Sequence, residues 1–221
     1  MKIVIVVPAW NEEKNIKTSI EDLLQNGYDN IVVVDDHSKD QTAEVVKNLN
    51  VVLLRHSANR GQGASLQTGH DYALLNGAEI VIDFDSDGQM QAKDIAKMIQ
   101  PILDDQAEIV FGSRFLDNQT QIPWLKKNLI HRPARVLNNF LTGIKLSDVH
   151  CGFRALSRTA LEKLKLTQDK MAHATEFVVL TKQLGLRHAE MPVEIVYKNF
   201  GQGFGGGIKV LKELFIDKLL K

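Results

Sequence analysis

The sequence predicts an α/β domain built on a doubly wound, mostly parallel sheet, and two observations carry that expectation. The first is a set of short, continuously apolar, β-branched runs, the pattern left by strands buried on both faces. The second is that helical apolar spacing and glycine stops separate these runs, giving βαβαβαβ order. The strands are expected at Ile3–Val7, Ile31–Val34, Val51–Leu54, Ile80–Phe84 and Ile109–Phe111. Ile16, Ile20, Leu23 and Leu24 recur at helical spacing, and Gly27 supplies a C-terminal stop. A second helix is expected to start near Asp40, where Ser38 and Gln41 have capping-box spacing. A third spans roughly Ala64–Asn76 and stops at Gly77.

After Phe115 the alternation ends. The stretch 122–146 mixes Trp124, Leu125, Leu129, Leu137, Phe140 and Leu141 with Lys126, Lys127, His131, Arg132 and Arg135, and is broken by Pro133. It reads equally as an interfacial amphipathic segment or as a helix covering the sheet. Beyond it come an expected helix at Thr175–Leu184, strands around His188–Met191 and Val193–Tyr197, a glycine run, and an amphipathic helix through Leu211, Leu214, Phe215 and Leu219.

Composition narrows the classes. The 221 residues form one expected domain, divided at 1–115 and 116–221 where the regular alternation ends, with 44% apolar residues to fill a core. Because 27 Lys+Arg balance 27 Asp+Glu, bulk charge offers no reason to expect nucleic-acid binding. The single cysteine, Cys151, excludes an intramolecular disulfide framework and fits a cytoplasmic setting. No run of about 18 apolar residues is present, so any membrane contact is expected to be peripheral.

In doubly wound sheets ligands bind beyond the carboxyl ends of the strands. Those segments are polar here: Pro8-Ala9-Trp10-Asn11-Glu12, Asp35-Asp36-His37-Ser38, Arg55 to Gly63, Asp85-Ser86-Asp87-Gly88-Gln89 and Gly112-Ser113-Arg114. Asp83, Asp85 and Asp87 alternate at a strand end, and period-two geometry points them to one side. An oxygen-only set suits Mg²⁺ or Mn²⁺, while spacing alone equally allows a solvated acidic turn at Gly88. Asp35 and Asp36 can accept hydrogen bonds from a ribose or a base, or can serve a capping turn. Asn59-Arg60-Gly61-Gln62-Gly63 leads into a helix whose N–H groups could meet phosphate.

The ordered set resembles glycosyltransferase family 2, in its dolichol-phosphate mannosyltransferase-like, polyprenyl-phosphate branch. The matching motifs are Pro8-Ala9-Trp10-Asn11-Glu12-Glu13, Val34 to Thr42, Asn59 to Ala64, Asp83-Phe84-Asp85-Ser86-Asp87-Gly88-Gln89, Gly112-Ser113-Arg114-Phe115 and Asp148-Val149-His150-Cys151-Gly152-Phe153-Arg154, extended by Glu176 and Glu190-Met191-Pro192-Val193. The resemblance implies a GT-A fold in which Pro8, Trp10, Asn11, Glu12, Asp35, Asp36, Arg60, Gly63 and Arg154 bind the nucleotide-diphosphate sugar. It places the metal on Asp85, Asp87 and Gln89, and puts Asp85, Asp87, Asp148 and Arg114 at the catalytic centre.

Inverting transfer of a sugar from a GDP-mannose or UDP-glucose type donor to a polyprenyl or dolichyl phosphate is the implied activity. An acceptor hydroxyl would need a base, for which Asp148 is the candidate; an acceptor phosphate would need cations, for which Arg114, Arg132, Arg135 and Arg154 are suited. The implied setting is the cytoplasmic face of a membrane, reached through 122–146 or through a membrane partner protein.

Three departures stand out. His37 occupies the place of a usual glycine, His150-Cys151 that of small polar residues, and Tyr197 to Gly203 lacks the branch's Arg and Gly-x-Ser-Lys. The run Gly201 to Gly207 contains a literal G-x-G-x-x-G, but one helix follows it rather than the strand and acidic residue of a dinucleotide site, so a mobile lid is the expectation. The rival readings are a response-regulator receiver, a sugar-nucleotide pyrophosphorylase and a non-catalytic nucleotide-binding paralogue. The receiver is opposed by the chain's length, the pyrophosphorylase by the absence of a glycine-rich loop after the first strand, and the paralogue by the intact Asp85, Asp87 and Gln89.

Overall fold

The computed structural model describes residues 1–117, 143–170 and 172–197. The Trp124 to Arg135 cluster, the 201–207 glycine run and the helix expected through Leu219 lie outside the described residues.

Seven strands form one sheet in the order β3-β2-β1-β4-β6-β5-β7. They are β1 (Ile3–Ala9), β2 (Ile31–Asp35), β3 (Val52–Arg55), β4 (Ile80–Asp83), β5 (Ile109–Ser113), β6 (Arg154–Ser157) and β7 (His188–Pro192). All neighbours run parallel except β6, which is antiparallel to both β4 and β5. The five expected strands are present, most of them reaching one or two residues further toward the polar loops. Val193–Tyr197 is not a strand: only an isolated bridge joins Ile195 to Met90, because Pro192 ends the preceding strand and the chain leaves the sheet to cross the loop after β4.

Helices cover both faces: α1 (Ile16–Gln25), α2 (Thr42–Lys47), α3 (Gln62–Leu75), α4 (Ile95–Leu103), α5 (Arg158–Lys163) and α6 (His173–Gln183). The alternation along the strands divides the core in two. Ile5, Val7, Ile31 and Val33 face Ile16, Ile20 and Leu23 of α1 and Ile95 and Met98 of α4. Val4, Val6, Val32 and Val34 face Leu66 and Ala73 of α3, Leu161 of α5 and Phe177 and Val178 of α6. Each fully buried Val or Ile contributes roughly 1.5–3 kcal/mol relative to exposure, which is why the central strands carry almost nothing else.

The expected stops at Gly27 and Gly77 are found at φ 83° and 75°, just beyond α1 and α3. The expected capping box at α2 is not formed. Gln41 stands at the cap without a side-chain bond, and Asp40 instead accepts the Thr42 N–H at 3.0 Å. Ser38 is drawn away from the helix and accepts the Asn11 N–H at 2.9 Å. Strand β6 and helices α4 and α5 escape the periodicity reading, two of them being only 4 and 6 residues long.

Helix α3 packs on β1 through Gly69, where an added Cβ would lie 2.2 Å from Val6 Cγ1. Gly69→Ala is therefore expected to cost about 1–3 kcal/mol in urea unfolding, with Val6→Ala in the same chain recovering part of the loss.

Candidate functional site

The carboxyl ends of β1, β2, β4 and β5 meet at one edge, and two loops there are stitched to each other. Beyond the Asn11 to Ser38 bond, the Glu12 N–H donates to Thr42 Oγ1 at 2.8 Å and the Glu13 N–H to Asp40 at 3.2 Å. The Lys39 N–H returns a bond to Asn11 Oδ1 at 2.9 Å. Asn11 and His37 both adopt left-handed backbone, at φ 57° and 60°. That conformation explains why a glycine is at home at position 37, and histidine is among the side chains that tolerate it. The outcome is a rigid lip of Pro8, Asn11 and Glu12, from which Trp10 projects at 54% exposure.

The acidic pair at the end of β2 is tied into the protein. Asp35 is fully buried, accepting the Ser38 N–H at 3.1 Å and pairing with Arg55 Nε at 2.8 Å. Asp36 accepts the Arg60 and Gly61 N–H groups at 2.9 and 2.6 Å and meets His56 Nδ1 at 2.7 Å. Buried carboxylates need such donors, and here Asp35 and Asp36 organise the lip and the 59–61 turn.

The helix start at Gln62 is likewise covered by protein. The Ala64 N–H donates to Asp169 O at 3.2 Å, and an added Cβ on Gly63 or Gly61 would lie 2.0 Å from Gln168 O or 2.4 Å from Asp169 O. These glycines admit the close approach of the 168–169 backbone to the start of α3. Arg60 is exposed and pairs with Asp169 at 3.4 Å. Glu176 holds the covering segment by accepting from Thr167 N, Thr167 Oγ1 and Gln168 N at 3.0, 2.5 and 2.9 Å.

At the end of β4 the three alternating aspartates separate. Asp83 turns inward, 1% exposed, onto His70 Nε2 at 2.7 Å, so it does not share the outward side expected for all three. Asp85 and Asp87 stay at the edge, where Asp87 accepts the Gln89 N–H at 3.0 Å around Gly88. Burial, then the charge of Asp87, push the Asp85 carboxyl up to about 7. Gln62 Nε2 donates to Asp85 Oδ1 at 2.9 Å, and an added Cβ on Gly152 would lie 2.3 Å from Asp85 Oδ2. Glu12 is also raised, by burial and by Asp87 among its neighbours. Among the described residues no three His, Cys, Asp or Glu side chains converge on one ion position. Two neighbouring carboxylates, with Gln89 beside them, fit the Mg²⁺ or Mn²⁺ mode in which substrate phosphates complete the shell.

Arg114 and Asp148 form a fork, with Nη2 to Oδ1 at 2.7 Å and Nε to Oδ2 at 2.5 Å, and the Arg114 N–H adds a bond to Oδ2 at 3.2 Å. Burial opposes the guanidinium charge, and Asp148 more than restores it. Arg114 Nη1 also donates to Tyr197 Oη at 3.1 Å. Glu190 fixes the 147–148 turn by accepting from Ser147 N and Oγ at 2.8 and 2.9 Å. Asp148, the candidate base, is thus the ion-pair partner of Arg114. Arg154 is buried below the edge. It is 1% exposed, its guanidinium 4.4 Å from the Phe177 ring centre, because β6 places it opposite Asp83 on the α6 face of the sheet. Burial pushes the Cys151 thiol up to about 12 and lowers His173, beneath Arg154, to about 4.

The structure places Asp85, Asp87 and Gln89 on one loop, with Asp87 near Glu12 of the lip. Reading by motif missed Gln62, seen only as part of a glycine-rich loop, and the anchoring work of Glu176 and Glu190, whose only signal was their place in matched motifs.

A sheet of this order with paired carboxylates past its fourth strand is the GT-A arrangement. Glucosyl-3-phosphoglycerate synthase from Mycobacterium tuberculosis, solved with Mn²⁺ and UDP-glucose, superposes with TM-score 0.73 over 99% of this chain and 78% of its own, at 19% identity. The chain belongs to glycosyl transferase family 2, whose model matches residues 4–165, and it is a glycosyltransferase. Its relatives lie in the polyprenyl-phosphate branch. A UDP-N-acetylglucosamine–dolichyl-phosphate N-acetylglucosaminyltransferase of Methanococcus voltae is 32% identical over 99% of this chain and 95% of its own length. Polyprenol monophosphomannose synthase of Mycolicibacterium smegmatis is 23% identical over 97% and 84%.

Breaking the fork by Asp148→Asn leaves a nearly buried guanidinium unpaired and is expected to cost about 3–5 kcal/mol in urea unfolding, while Arg114→Met with Asp148→Leu recovers most of it. Asp85 titrates higher folded than unfolded, so the folded protein takes up the proton first. The metal-free protein should therefore gain stability relative to Asp85→Asn as pH falls from about 7 to about 4, read from paired thermal melts.

Proposed function

We propose that this protein transfers a hexosyl group, with inversion, from a nucleotide-diphosphate sugar to a polyprenyl phosphate at a membrane surface. The observation that carries the reading is the fork at Asp148. A hydroxyl acceptor must lose a proton during attack, yet the carboxylate at the position suited to take it spends both oxygens on Arg114. A phosphate acceptor is already ionised and asks for no base. The names of the Methanococcus voltae and Mycolicibacterium smegmatis relatives point to the same acceptor class.

In this reading Pro8, Trp10, Asn11 and Glu12 line the nucleoside side of the edge, with Trp10 free to stack on a base. Asp85, Asp87 and Gln89 would hold Mg²⁺ or Mn²⁺, and the ion when bound would supply charge stabilisation to the departing nucleotide diphosphate. An acceptor phosphate oxygen attacks the anomeric carbon on the face opposite the leaving group. The bond from that carbon to the β-phosphate oxygen breaks, its electron pair leaves with the nucleoside diphosphate, and no proton moves. Asp85 and Asp87 are the anionic ligands for that ion, while Asp35, Asp36 and Asp40 hold the lip and the adjoining 59–61 turn in place. The sequence offers Arg132 and Arg135 as cations for the acceptor phosphate. No helix among the described residues is long and apolar enough to cross a membrane, so access to the lipid is proposed to be peripheral, at the cytoplasmic face.

The donor is tested by incubating the protein and Mn²⁺ with radiolabelled GDP-mannose, UDP-glucose or UDP-N-acetylglucosamine, with polyprenyl phosphate or free polyprenol in detergent. Label is expected in the organic phase with one donor and with the phosphate only, and to fall by roughly 100-fold or more in Asp85→Ala, Asp87→Ala. Equal labelling of free polyprenol would establish the hydroxyl reading. Nucleotide binding without transfer would establish a non-catalytic paralogue.

A further inference from the structure

Asp85 is embraced from two sides by features that the chemistry described above leaves unused. Gln62, first residue of α3, donates its side-chain amide to Asp85 Oδ1 at 2.9 Å. On the other side Gly152 has no side chain, and one carbon there would lie 2.3 Å from Asp85 Oδ2 and 3.0 Å from Oδ1. The carboxylate therefore lies directly against the Gly152 backbone, with a hydrogen-bond donor on its other side.

The donor is itself held with unusual completeness. Gly61, at φ 110°, sends its N–H to Asp36, and the turn after Gln62 is closed over by Gln168 and Asp169. Leu166 N–H meets Gln67 Oε1 at 2.7 Å, and Glu176 ties Thr167 and Gln168 from α6. The turn that carries Gln62 is thus tied on both sides, and its amide reaches Asp85 from an anchored helix start. Arg154 and Arg114 contribute positive charge near Asp85, but neither is hydrogen-bonded to it.

We infer that Gln62 is a positioning residue for the reaction, orienting the Asp85 carboxylate, through its Oδ1, for the divalent ion and the donor diphosphate. The inference rests on the reading that Asp85 holds the metal. An amide suits the task better than a cation or a carboxylic acid would. It stabilises the ionised carboxylate that a metal requires, adds no positive charge to repel the ion, and leaves lone pairs on both oxygens open to coordination. Aspartate on a free rotamer beside Asp87 would swing away from its neighbour; the amide removes that freedom.

The test is isothermal titration of Mn²⁺ with GDP and with UDP on wild type, Gln62→Met, Gln62→Glu and Gln62→Asn, together with Mn²⁺ electron paramagnetic resonance and thermal melts. Gln62→Met keeps length and helix propensity and removes only the donor. It is expected to weaken Mn²⁺-dependent nucleotide binding roughly tenfold, in the range seen for loss of a group that orients a ligating side chain, with metal-free nucleotide binding and melting temperature unchanged. Gln62→Glu, which sets a third carboxylate against Asp85, is expected to weaken it further, and Gln62→Asn, too short to reach, to match the methionine variant. In an Asp85→Asn background Gln62→Met should add nothing. Wild type that binds with Mn²⁺ alongside a Gln62→Met variant of equal affinity overturns the role of Gln62 alone. Wild type that shows no Mn²⁺-dependent binding of either nucleotide overturns both it and the metal reading of Asp85.

Discussion

The insertion of β6, antiparallel, between β4 and β5 is the constraint on which the site depends. Its register sets Arg154 opposite both Asp83 and Phe111, and so fixes the chain just before it, 148–153, across the carboxyl ends of two parallel strands. That path brings Gly152 against Asp85 and Asp148 within reach of Arg114. Without the reversed strand, the acidic loop after β4 and the arginine after β5 would face solvent separately. With it, they share one floor.

Beneath that floor lies a polar layer that only a sheet edge could support. Asp83 and His70 bond at 2.7 Å with each 1% exposed, and Arg154 lies over Phe177 beside His173. Asp83 Oδ2, His70 Nδ1 and Arg154 Nε are buried without a hydrogen-bond partner in the described protein. Such a layer costs desolvation energy that an apolar core would not, and its charge acts on Asp85 through a medium that screens poorly. The site's electrostatics are therefore written as much by residues that never meet a ligand as by those on the lip.

The parallel half of the fold was legible because burial on both faces leaves unbroken Ile and Val runs, as in Ile31 to Val34. The edge was legible as well, since polar motifs following those runs can only cluster there. Individual roles were not. Period-two reasoning put Asp83 with Asp85, but the strand ends at Asp83 and the chain turns, so the alternation stops applying one residue too early. Asp36, Gly63, Asp148 and Arg154 all sit in motifs that a ligand-centred reading assigns to substrate, and the structure adds contacts with Gly61, Gln168, Arg114 and Phe177 that motif reading does not see. Other such contacts reach further still, Arg60 and Asp169 lying 109 positions apart, beyond what spacing can reveal.

The buried Cys151 gives this architecture a built-in clock. It is the sequence's single cysteine, 4% exposed and held as a neutral thiol, on the same short crossing segment as Asp148 and Gly152. A thiol in that state is inert to alkylating reagents while the segment lies flat, because only the thiolate reacts. Its rate of labelling therefore counts how often the floor of the site lifts away from the sheet, a local opening that can be timed in the unaltered chain without adding a probe.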